Sequence, residues 1–124
     1  MTLRRLSILQ WFGFAGAALV WTAQHVVGFG IAQAECSPGG MHWGIGNDLW
    51  QLTLLVAGGL VVVAAEAAAV VVFWRTRETE EDDPAPLGRI HFLATAAVVA
   101  NLLFFSAMLM DGVASAVTTV CRGG

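Results

Sequence analysis

Tyrosine and lysine are absent from the 124 residues, charged side chains make up only 12%, and there are three prolines and two cysteines. A soluble domain carries roughly 25% charged residues. With half that share and 57% hydrophobic residues, the chain has too little polar surface to dress a water-facing domain. At this length it forms one domain at most, and a single small core cannot take in so much apolar surface. All six basic residues are arginines and they form no patch, which excludes a nucleic-acid partner. The two cysteines form no Cys-x-x-Cys pair and share no zinc-type spacing with histidine, which excludes a zinc site.

What is there is apolar sequence in three long runs, at residues about 6–34, 48–74 and 89–120. Each rises more than the ~30 Å of a bilayer core at ~1.5 Å per residue. The expected fold is therefore an all-α membrane protein of three transmembrane helices. The first run follows a basic head (Arg4, Arg5) and ends in Ala32-Gln33-Ala34, which also fits a secretory signal. Its apolar part is about twice the usual 7–15 residues of such a signal, so it is read as a retained anchor. Cys36 is preceded by Glu35 where a lipoprotein needs a small residue.

Residues 35–47 hold Pro38 and four glycines and read as a turn region, the outer loop. Asn47 or Asp48 is expected to cap the second helix, with Trp43 and Trp50 as interfacial aromatics. Residues 75–88 are the one strongly hydrophilic stretch, holding five of the nine acids. Pro84 and Pro86 stop helix there, giving an acidic inner loop. Arg4, Arg5, Arg75, Arg77 and Arg89 fall on one side of such a layout and Arg122 on the other. By the positive-inside rule the N-terminus is expected in the cytoplasm and the C-terminus outside, in a bacterial inner membrane.

Cys36 and Cys121 then emerge together on the outer, oxidising face, where a disulfide between spans one and three is expected. The alternative is two free thiols, because the ~7 Å limit on Cα separation is not readable from sequence. His25 lies eleven residues before Cys36 and Asp111 ten before Cys121. On spans running the same way both sit ~15 Å below the outer ends, within reach of a hydrogen bond. Alternating three and four spacing gives one stripe per span: Trp11, Phe14, Ala18, Trp21, His25, Gly28 and Ala32; Leu52, Leu55, Gly59, Val62, Glu66, Ala69 and Phe73; and Ala97, Asn101, Phe104, Met108, Asp111, Ser115 and Thr118.

Ionisable groups inside a bilayer are costly and are candidates for function. His25, Asp111, Glu66 and Asn101 can be read as a proton relay or ligand site, or as polar glue between helices at ~0.6 kcal/mol per bond. The glue reading is preferred, because Glu66 and Asn101 differ in depth from the other two. Axial haem ligation would need His25 to meet His42, with His91 left near the inner boundary. No nucleophile–base pair or phosphate loop is present, and Gly13, Gly16, Gly58 and Gly59 read as close helix packing. The chain is thus expected to be non-enzymatic, with no cofactor of its own.

Trp21 four positions before His25, then Gly28 and Cys36, and a third span ending in Cys121 resemble small three-helix proteins of unknown function encoded near bacterial haem-copper cytochrome oxidase genes. The resemblance implies an accessory or assembly role beside a respiratory oxidase. Haem and copper would then belong to partner subunits, while His25, Cys36 and Cys121 would be structural. The expected function is a non-catalytic accessory subunit of a larger membrane complex, its partners being larger membrane subunits and the lipid bilayer, with a quinone or lipid at the interface. The alternatives are an oxidase assembly factor, or a small proton-coupled transporter or quinone-interacting protein using Glu66 and Asp111.

Overall fold

The computed structural model describes residues 1–37, 46–79, 83–118 and 121. Three helices follow one another, α1 (Leu3–Cys36), α2 (Asn47–Thr76) and α3 (Leu87–Val117), and there are no strands among the described residues. Each is long and apolar enough to cross a membrane. α1 and α3 run the same way with α2 antiparallel between them in sequence, and every pair of helices is in contact. Cys36 and Cys121, at one end of the bundle, are joined as a disulfide with Cα atoms 5.4 Å apart.

The helix ends differ in part from those read in the sequence. α1 starts at Thr2, whose hydroxyl accepts from the Arg5 backbone N–H at 3.4 Å. α2 is preceded by Gly46 with no side-chain cap, so neither Asn47 nor Asp48 caps it. Asn47 is already helical, and its side chain accepts from Gln51 instead. Pro86 precedes α3, as a residue lacking an N–H can at a helix start. α3 closes at Val117, three residues short of the expected end, because Thr118 turns to extended backbone. Trp43 and His42 lie outside the described residues.

Water is not what holds helices together in lipid; close contact and interhelical hydrogen bonds do. The inner faces are accordingly built of small residues. α1 presents Leu6, Gln10, Gly13 and Ala17, while α2 presents Gly58, Val62, Ala65, Ala69, Val72 and Thr76 at unbroken four and three spacing. α3 presents Ile90, Ala94, Ala97, Asn101 and Met108. A Cβ on Gly13 would lie 2.9 Å from the Ala69 backbone nitrogen. That contact identifies the place where α1 and α2 touch main chain to main chain.

These faces correct the three stripes. The α3 stripe is buried at Ala97, Asn101 and Met108 but not at Asp111 or Thr118; the buried line on α1 runs one residue earlier than Trp11, Phe14 and Ala18, and that on α2 passes through Ala65 rather than Glu66. Small side chains allow the closest approach, and polar or aromatic ones are turned to the edges. Of the four glycines read as packing sites, Gly59 has open space where a Cβ would go. Much of the outer surface is apolar: Leu19, Leu60, Leu103 and Met110 are each about two-thirds exposed.

Candidate functional site

The polar residues gather in two places, not one. Near the disulfide, His25 Nδ1 stands 3.3 Å from Asp111 Oδ2. The equal depth of the two follows from α1 and α3 running in parallel. Trp21, one turn earlier, stacks on the His25 ring at 5.5 Å and meets Phe104 at 5.7 Å. The pair lies on the outside of the bundle, with the His25 and Asp111 side chains 57% and 40% exposed. It borders a groove of about 190 Å³ whose polar wall includes Gln24, Gln51 and Ser115. Gln51 donates to the Gly28 carbonyl at 3.0 Å, and the Gln24 Oε1 is buried without a partner.

At 3.3 Å the His25–Asp111 contact is longer than the 2.7–2.9 Å of strong charge-assisted bonds. Its exposure further limits its worth. A double-mutant cycle on His25→Phe and Asp111→Leu, read by unfolding in detergent, is expected to give a coupling of about 0.6 kcal/mol. Coupling above ~2 kcal/mol would show that the pair organises the fold.

The second place is ten residues earlier on α3, ~15 Å away. Asn101, 1% exposed, donates to the Gly13 carbonyl at 2.9 Å. This bond uses a carbonyl that the missing Gly13 side chain leaves open. Asn101 and Glu66 also line one cleft of about 200 Å³ between α2 and α3, whose other walls are Val62, Val63, Leu102 and Phe105. Glu66 Oε2 and Asn101 Oδ1 are both buried there without hydrogen-bond partners. The cleft therefore offers two acceptor oxygens in an apolar frame.

Gln10 was not anticipated. It is 1% exposed, and both of its amide atoms are unpartnered. A signal for it does exist in the sequence: Leu6, Gln10, Gly13, Ala17, Gln24 and Gly28 fall at helical spacing on the small-residue line of α1. His91 lies at the other end of the bundle, 3.0 Å from the Thr76 hydroxyl and stacked on Phe73. It is far from His25, and His42, which axial haem ligation would have required, is outside the described residues. Among the described residues no three of His, Cys, Asp and Glu converge as a metal site.

The chemistry on offer is thus hydrogen bonding at two sites, a polar groove near the disulfide and a cleft near mid-bundle that holds the Glu66 carboxyl group and the Asn101 amide oxygen. Compared with protein-family models, characterised proteins and solved structures, the chain finds no match.

Proposed function

We propose that the chain is a non-catalytic accessory subunit of a larger bacterial membrane complex, held there by helix packing. The observation that carries this reading is the cleft with Glu66 Oε2 and Asn101 Oδ1 left unpartnered. Unsatisfied polar groups inside a bilayer cost several kcal/mol each; Glu66 is only half-buried, and a neighbouring helix that reaches its carboxyl group with a polar side chain completes the cleft. Three exposed hydroxyls of this chain do not supply it. The outward hydroxyls of Thr22, Thr53 and Ser106 already donate to Ala18, Leu49 and Leu102 in their own helices, and His25 is engaged by Asp111.

The assignment to a respiratory cytochrome oxidase or supercomplex rests on the likeness of Trp21, His25, Gly28, Cys36 and Cys121 to the proteins encoded beside oxidase genes. The arginine distribution supports an N-terminus in the cytoplasm, with the disulfide on the outer, oxidising face. Purification of the tagged chain in mild detergent is expected to bring down larger subunits, and Glu66→Leu is expected to weaken that association at least tenfold while the disulfide still forms. Recovery of the wild-type chain alone, with no other subunit, would overturn the proposal.

The groove beside His25 favours a second reading, in which a small amphiphile such as a quinone places its head against Gln24, His25 and Asp111. Solvent extraction of the purified chain, followed by mass spectrometry for quinone, tests it.

A further inference from the structure

At the end of the bundle opposite the disulfide, the first turn of α1 and the last turn of α2 come together. Arg5 and Arg75, seventy residues apart in sequence, line a common groove of about 480 Å³ with Met1, Ile8 and Leu9. Neither guanidinium makes a hydrogen bond or ion pair to any described residue. Leu9 packs on the Leu6, Val72, Ile90 and Ala94 cluster, while Ile8 is exposed along the helix toward the middle of the bundle.

From this juxtaposition we infer that the groove is a binding site for one anionic phospholipid. The phosphate sits between Arg5 and Arg75, and an acyl chain runs along Ile8 and Leu9. Three features fit this ligand better than a soluble anion. The charge is at the ends of two spans, at the level where phospholipid phosphates lie. Arginine holds phosphate oxygens through paired N–H donors. The remaining wall is apolar and continues down the lipid-facing side of α1, which a free phosphate would leave uncovered. Arg77 is not part of the groove, its guanidinium being 5.4 Å over the Trp74 ring. The nearby acids Glu78 and Asp83 do not line it.

Native mass spectrometry of the full chain in mild detergent tests this, with titration by phosphatidylglycerol, by phosphatidylcholine of the same chains, and by inorganic phosphate. A single phosphatidylglycerol adduct is expected, on the order of tenfold weaker or worse in the Arg5→Gln/Arg75→Gln double variant, given the contribution of each arginine near a lipid surface. Arg4→Gln, outside the groove, is expected to bind as wild type. If the double variant fails to fold, Arg75→Lys, which keeps the charge but loses the paired donors, is expected to weaken the adduct severalfold. Equal binding of phosphatidylcholine, undiminished binding by the arginine variants, or an equal loss in Arg4→Gln would overturn the site. Inorganic phosphate displacing the lipid would overturn the assignment to a phospholipid.

Discussion

Gly13→Ala, a change of one methyl group, is expected to destabilise the bundle by about 2–4 kcal/mol. The added Cβ would lie 2.9 Å from the backbone nitrogen of Ala69 and 3.1 Å from its Cα. Main chain cannot swing aside as a flexible side chain does, so α1 and α2 must move apart along the line where Gly13, Ala17, Ala65 and Ala69 meet. Overpacking of this kind costs about 1–3 kcal/mol. The shift also draws the Gly13 carbonyl from Asn101, whose 2.9 Å bond contributes about 1 kcal/mol more. Gly30→Ala and Gly59→Ala are the controls, because a Cβ at either meets nothing within 4 Å. Those two are expected to be neutral or to gain up to ~1 kcal/mol from helix propensity. Reversible unfolding in mixed micelles measures all three, and a Gly13→Ala variant as stable as the controls would show that the helices do not touch there.

Breaking the Cys36–Cys121 bond is the other large effect. It closes a loop of 85 residues in sequence separation, for which the chain-entropy account gives about 4–5 kcal/mol. The separated helices of a membrane protein are a more restricted ensemble than a random coil, so about 2–4 kcal/mol is the expected loss. Cys36→Ser, Cys121→Ser and the reduced wild type should therefore unfold alike, and all before the oxidised wild type. The bond ties the end of α1 to the chain just beyond α3, so its loss is expected to loosen the groove between His25 and Asp111 more than the Glu66 cleft. Cysteine labelling at Gln24 and at Leu102 distinguishes these two places: faster labelling at Gln24 alone is the expected pattern after reduction. Equal stability with and without the bond would mean that packing alone fixes that end.

Much of this arrangement was legible before any coordinates. Three apolar runs, broken by a glycine-rich turn and an acidic, proline-containing loop, leave one economical topology. Counting back from the two cysteines places His25 level with Asp111, because rise per residue is the same in parallel helices. What misled was the use of polarity to locate the inner faces. On α3 polar and buried positions coincide at Asn101, while Asp111 on the same stripe is 40% exposed. On α1 and α2 they do not: His25 and Glu66 lie off the buried line, and the residues on it are Gly13, Ala17, Ala65 and Ala69. In lipid the closest approach belongs to the smallest side chains, since nothing is gained by hiding a leucine from solvent.

The same logic explains the glutamines. Gln10 and Gln24 are uncharged and sit inside an apolar run, so neither stands out in composition, yet both fall on the small-residue line of α1. The burial of Gln10 and of the Gln24 Oε1 is a consequence of helix rotation.

By itself the sequence determined that there are three helices long and apolar enough to cross a membrane, where they begin and end to within a few residues, and that α1 and α3 run the same way, because each of these depends on local hydropathy, length and turn chemistry. Only the tertiary structure decided how each helix is rotated about its axis. That rotation put His25 and Asp111 on the outside, split the four intramembrane polar residues into two sites, and brought Arg5 to Arg75. It depends on which side chains on three helices at once are small enough to let the main chains meet, and no single run of sequence holds that information.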